Sequence, residues 1–237
     1  MLIKTCGILF KALKYSETSL ILDVYTEEKG LQKYIISGVR SKGAKMKMGI
    51  LQPTSLVDIV AYYRLNKPIN RIKEIKAAYI YQHLPFDVLK GTIGLFMVEL
   101  AQKTIKEEET NPALFNFLFQ QFQQLDQLAT IPSNFHLFYL VQLTEYLGFS
   151  PTASWSIATP FFDMKEGQFV KEEPLHQYAP NKLISEQIGQ LLNRQAPLLT
   201  RKERQVLLEV LINFYRLHVE NFTGLNTHAI LKEVLEG

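Results

Sequence analysis

The residues best suited to chemistry lie in one basic segment, Gly38-Val39-Arg40-Ser41-Lys42-Gly43-Ala44-Lys45-Met46-Lys47-Met48-Gly49. Arg40, Lys42, Lys45 and Lys47 supply cations, Gly38, Gly43 and Gly49 loosen the backbone, and no acid interrupts them. Cations spaced in this way can follow a sugar–phosphate chain and displace its condensed counterions without reading bases. A second basic group follows at Arg64, Lys67, Arg71, Lys73 and Lys76. In a small barrel these two connections would border one groove. Tyr25, Tyr34, Tyr62 and Tyr63 lie near them in sequence. Each offers a ring on which a base could stack, worth ~1–3 kcal/mol per base. The competing role for the same rings is to finish the barrel core and rim.

Other chemistries find little support. The basic segment lacks the G-x-x-x-x-G-K-[ST] pattern of a phosphate-cradling loop, and no G-x-S-x-G elbow occurs. The carboxylate runs Glu107-Glu108-Glu109 and Glu172-Glu173 read as solvated surface. A single cysteine, Cys6, excludes an internal disulfide and is too few for a structural zinc site. His83, His136, His176, His218 and His228 are scattered without metal-ligand spacing. The expectation is a protein with no catalytic residues, no metal and no cofactor.

The charge is unevenly divided. Residues 1–80 carry 14 Lys/Arg against 6 Asp/Glu, a balance of +8. Residues 81–237 carry 12 against 17, a balance of −5. A basic front third attracts polyanions, and an acidic remainder does not. No apolar run approaches the roughly 20 residues that a bilayer requires. The N-terminus lacks the features of a signal peptide, so a cytoplasmic location without membrane contact is expected.

Period decides which elements carry these groups. Ile3–Leu13, Thr18–Tyr25, Leu31–Ser37, Leu51–Tyr63 and Ile69–Ile80 read as strands. In Thr18–Tyr25, Leu20, Leu22 and Val24 share one face, whereas alternation in Ile69–Ile80 is imperfect. Five short strands without a long helix suggest a five-stranded OB-type barrel over residues 1–80. After Pro85 the period becomes helical. Helices are expected over Phe86–Lys106, Ala113–Leu128, Ser133–Leu147, Lys182–Asn193, Thr200 to about Phe222, and Asn226–Leu235. Asn111-Pro112 marks one helix start, Gly148 one helix end, and Thr200 to Glu203 a capping box. The fold class is therefore α+β and multidomain: a barrel, then an α-helical bundle over residues 81–237. An irregular insert at about 150–180 carries a hairpin across Phe161–Val170.

Several stretches together resemble the RecO family of bacterial DNA repair and recombination mediators. They are Gly7-Ile8-Leu9, Ser16 to Leu22, Tyr25 to Gly30, Gly38-Val39-Arg40, Gly49 to Pro53, and Leu147-Gly148-Phe149-Ser150-Pro151. The resemblance implies an OB-fold joined to a helical domain. It implies binding of single- and double-stranded DNA, strand annealing and recombinase loading in double-strand break and gap repair. The partners implied are RecR, in many bacteria RecF, and the acidic C-terminal tail of single-strand-binding protein, with a nucleoid-associated location. By position, it assigns DNA contact to Arg40, Lys42, Lys45 and Lys47, beside the second group Arg64, Lys67, Arg71 and Lys73. One departure is plain. Many family members carry a four-cysteine zinc segment after the Leu-Gly-Phe/Tyr turn, whereas Thr152–Tyr178 contains no cysteine. Packing of Phe161, Phe162 and Val170 is expected to hold that hairpin instead. Two other readings remain beside DNA repair: a scaffold whose basic barrel docks acidic protein tails, and an RNA-binding OB protein.

Overall fold

The computed structural model describes residues 1–39, 48–64, 67–106, 109–152 and 154–235. Arg40, Lys42, Lys45 and Lys47 lie outside the described residues, as do Glu107 and Glu108.

The first five strands are β1 (Leu2–Lys14), β2 (Ser19–Thr26), β3 (Gly30–Ser37), β4 (Leu56–Tyr62) and β5 (Asn70–Ala77). They close into a barrel in the order β1-β2-β3-β5-β4, with β4 returning to β1. This is the closure of an OB-type barrel, with one parallel pairing, β3 to β5, among antiparallel ones. Alternation works as the sequence suggests. Leu20, Leu22 and Val24 of β2, Tyr34 and Ile36 of β3, and Val57, Ile59 and Ala61 of β4 fill the interior. Gly30 holds a φ of 59° at the turn into β3. Gly7 of β1 is required for a different reason: a Cβ there would lie 2.6 Å from Cγ1 of buried Val24.

Two strands differ from expectation. β4 begins at Leu56 rather than Leu51, because Pro53 lacks an N–H and Thr54 takes a left-handed φ of 78°. The Thr54 N–H still donates to Leu9 O at 2.9 Å, so the turn stays tied to β1. β5 is confined to Asn70–Ala77.

By compactness the chain forms two units, Met1–Ala129 and Thr130–Gly237. The first contains the barrel and two helices, α1 (Val88–Thr104) and α2 (Pro112–Gln127). Asp87 caps α1 by accepting from the Lys90 N–H, and Asn111 caps α2 ahead of its N-terminal proline. A ring series runs from the barrel wall to α2. Phe10 stacks on Tyr25 with centroids 5.8 Å apart, and Tyr25 meets Phe115 at 6.1 Å.

The same unit is locked by one carboxylate. Asp126, fully buried near the end of α2, accepts from the N–H groups of Gln82, His83 and Leu84 and from the Tyr79 hydroxyl at 2.7–3.2 Å. Lys90 Nζ donates to the carbonyls of Asp126 and Leu128, satisfying the open end of α2. Burial would raise the Asp126 carboxyl, but the three N–H donors and the phenol outweigh it and hold it below the ordinary carboxylate range.

The second unit contains α3 (Phe135–Leu147), the hairpin β6 (Phe161–Asp163) and β7 (Gln168–Val170), α4 (Lys182–Leu192), α5 (Arg201–His218) and α6 (Thr227–Val234). Gly148 ends α3 at a φ of 81°, and Thr200 with Glu203 forms the capping box of α5. α5 stops at His218 rather than Phe222, where Val219 turns extended and His218 Nε2 bonds Met164 O at 2.8 Å. The hairpin is held by Phe162 and Phe169, whose rings lie 5.0 Å apart, with Phe214 5.4 Å from Phe162. Phe161 and Val170 are only partly buried, and Phe161 instead lies under Lys182 Nζ. Among the described residues no helix is long and apolar enough to cross a membrane.

His136 on α3 is buried, and neither ring nitrogen has a hydrogen-bond partner among the described residues. Burial first, and the nearby Arg204 cation second, push its imidazole down to about 3.

Two pH effects are expected. Asp126→Asn should cost about 2–3 kcal/mol of unfolding free energy at neutral pH, the scale of leaving buried donors poorly paired. The wild-type carboxylate contributes fully above the unfolded aspartate value of about 3.9 and loses that contribution as pH falls through its lower folded value. Urea melts from pH 7 downward should therefore show the two proteins converging in acid. His136 acts in a different window. Its folded value is depressed, so below about pH 6.5 the unfolded chain takes up a proton that the folded chain refuses, and stability falls. His136→Leu should flatten the pH dependence of thermal unfolding between about pH 6.5 and 4 by roughly 1 kcal/mol per pH unit.

Candidate nucleic-acid interface

The second basic group is positioned by the way β5 meets its neighbours. β5 starts parallel to β3 through Tyr34↔Asn70 and Ile35↔Arg71, and it pairs antiparallel with β4 from Tyr62↔Arg71 onward. A groove of about 670 Å³ lies between the end of β3 at Ser37, the end of β4 at Tyr62 and the start of β5. Arg64, Lys67, Arg71 and Lys73 all line it, with Tyr62, Ile69 and Asn70, and among the described residues no acid does. Four predicted contact residues are thus brought to one concavity. Arg40, Lys42, Lys45 and Lys47 belong to the connection that leaves β3 beyond Ser37 and lie outside the described residues.

A β-bulge explains both the site and the imperfect alternation of β5. The register runs Val60↔Glu74 and then Ala61↔Ile72, so Lys73 has no residue opposite it. Lys73 and Glu74 are consequently both exposed, one after the other, while Ile72 stays in the core. The bulge leaves Lys73 exposed on the border between this groove and a second one. Beyond it lies a smaller groove of about 290 Å³ that includes Lys4, Asp58, Glu74 and Lys76. Lys73 pairs with Glu74 and Lys76 with Asp58, each at 3.3 Å. Solvent-exposed pairs of this kind contribute about 0–1 kcal/mol, but they do cancel local charge. The cationic excess is therefore concentrated at the Arg64–Arg71 end.

The four tyrosines separate clearly. Tyr25 and Tyr34 are buried and cannot stack on a base, and burial pushes the Tyr34 phenol up to about 12. Tyr63 is half-buried against the barrel core, with Lys29 Nζ 5.5 Å from its ring centroid. Tyr62 alone of the four is exposed, at 50%, and it lines the larger groove.

Asn70 escaped the sequence reading. It is 3% exposed, and its Oδ1 accepts from the Arg64 N–H at 3.0 Å. One side chain thus joins the two ends of the β4–β5 connection and places Arg64 beside Arg71. The available signal was an Asn closing a turn that contains Pro68. Among the described residues no group of three or more His, Cys, Asp or Glu is placed to hold a metal ion.

Comparison with known proteins gives a consistent result. Residues 1–81 match the family described as Recombination protein O N terminal, and residues 85–163 match Recombination protein O C terminal. The chain is 34% identical to DNA repair protein RecO of Phocaeicola vulgatus, 36% to that of Flavobacterium psychrophilum and 37% to that of Flavobacterium johnsoniae. Each similarity covers 99% of both chains.

Asn70→Ala should lower unfolding free energy by about 1–3 kcal/mol, the effect of stranding the Arg64 N–H. Hydrogen exchange should show faster loss of protection at Arg64 than within β4, with every cation of the groove still present.

Proposed function

The chain belongs to the recombination protein O family, and on that premise we propose that it acts in DNA repair as a non-enzymatic DNA-binding recombination mediator. The observation that carries this reading is the groove lined by Arg64, Lys67, Arg71 and Lys73, with no acid among the described residues that line it. Such a surface holds phosphates by charge and by counterion release, independently of base sequence. In this reading the barrel over residues 1–80 grips DNA, and Arg40, Lys42, Lys45 and Lys47 extend the grip beyond Ser37. Two strands held on such a surface repel each other less, which favours base pairing and therefore annealing. The helical part over residues 81–237, rich in Phe and Leu that can leave a groove for a partner's apolar side chains, is assigned the protein contacts: RecR, RecF where present, and the tail of single-strand-binding protein. Recombinase loading follows from the two activities acting together.

The test is a titration of labelled single-stranded and duplex DNA across a salt series. Changing Arg64, Lys67 and Arg71 together to Ala should weaken binding to all sequences alike. It should also reduce the single-strand salt slope by about 2, since each phosphate no longer neutralised lowers that slope by roughly 0.7. Unchanged affinity and slope would reject the groove as the DNA site. An acidic peptide that binds tightly where DNA does not would favour the scaffold reading. An RNA oligomer that outcompetes DNA of the same sequence would favour RNA, with the 2′-hydroxyl as the discriminating group.

A further inference from the structure

A surface that only holds duplex DNA needs cations, because the bases of a duplex are stacked on one another. This groove contains something more. Tyr62 occupies the last position of β4, opposite Leu2 on β1 and Arg71 on β5. Directly opposed residues in antiparallel strands point to the same face. Ile59 and Ala61 point inward, Tyr62 therefore points out, and it is 50% exposed. Leu2 is 52% exposed on one side of it, and Ile69, 37% exposed, contributes to the same groove. Tyr62 and Ile69 thus place apolar surface among Arg64, Lys67, Arg71 and Lys73 in one groove. The groove volume of about 670 Å³ lies within the range of about 300–1,000 Å³ that encloses ligands of drug-like size.

The neighbouring tyrosine shows that the exposure of Tyr62 is not a general property of the strand end. Tyr63 has its backbone tied to Met1 in both directions, and Lys29 lies over its ring. Tyr62 is left with a solvent-facing ring that meets no other ring or cation among the described residues. A flat π-face in a cationic groove suits a ligand that combines negative charge with an exposed aromatic plane. An unpaired nucleotide has both, and Arg71 beside the ring can stack on the same base through its planar guanidinium.

We propose that Tyr62 is the base-stacking platform of this groove: one unpaired base lies on its ring while Arg64, Lys67 and Arg71 hold the flanking phosphates. The groove thereby prefers single strands to duplex. This rests on the groove being the DNA site, and the experiment separates the two claims. The measured quantity is the ratio of single-strand to duplex affinity, with the salt slope recorded for each. Tyr62→Ala should lower that ratio by about 5- to 150-fold, the effect of losing one stacked base, with the single-strand salt slope unchanged. Tyr62→Leu retains apolar bulk on the strand and removes the ring, so it should lower the ratio similarly. It also provides the measurement should the Ala variant fold poorly. Tyr62→Phe should restore the ratio. Equal losses on both forms of DNA, or no loss on single strands, would overturn the stacking role while leaving the groove as a phosphate site. Failure of the triple Arg64/Lys67/Arg71 variant to alter the salt slope would remove the groove reading itself.

Discussion

A strand that closes a barrel must satisfy two neighbours at once, and β5 does so unevenly. It shares two parallel residue pairs with β3 and six antiparallel pairs with β4, the latter interrupted by the bulge at Lys73. Closure removes the free edges that an open sheet would present to other chains. The short β3–β5 seam leaves a concavity where β3 ends, and the bulge leaves Lys73 exposed at its border. The same compromise therefore closes the fold and creates the candidate site. Asn70 stands at the centre of it, buried, paired in register with Tyr34 and holding the Arg64 N–H.

Electrostatics then sorts the surface within the barrel. The 14 cations of residues 1–80 face only 6 acids. Two of those acids, Asp58 and Glu74, sit on the same sheet face and pair with Lys76 and Lys73. They mark one end of the track as nearly neutral. The other end keeps Arg64, Lys67 and Arg71 with no acid among the described residues that line the groove. Like charges held this close repel, and the arrangement is tolerable because solvent screens them. A polyanion bound there, as proposed, would supply the counter-charge.

The first compact unit also shows why its helices are part of the barrel's support. β1 is buried on both faces from Gly7 to Phe10: Leu9 faces the interior, while Ile8 and Phe10 are buried outside the interior cluster. α2 contributes Phe115 to that outer layer, against Tyr25. Asp126 fixes where α2 lies by capturing three consecutive N–H groups of the chain leaving the barrel. A carboxylate with this many donors is well compensated for burial, whereas the chain segment without it would carry stranded N–H groups.

The sequence by itself determined much of this protein. Alternation placed Leu20, Leu22 and Val24 inside, and the Asn111, Thr200 and Gly148 signals set helix ends that the structure reproduces. Composition located the charge imbalance, and the spacing from Arg64 to Lys73 named the groove's cations. Those features are local: they depend on period two or 3.6, on capping groups and on counts. Even the outward direction of Tyr62 was implicit in its alternation with Ile59 and Ala61. What only the tertiary structure decided is non-local. Tyr25 has the same outward alternation as Tyr62, yet Phe10 and Phe115 cover it, and residues 90 positions away in the chain cannot be read from strand pattern. The bulge at Lys73, the capture of residues 82–84 by Asp126 and the burial of His136 likewise arise from pairing between distant segments. Which tyrosine is free to meet a ligand is therefore settled by packing, because exposure belongs to the folded surface and not to any one stretch of chain.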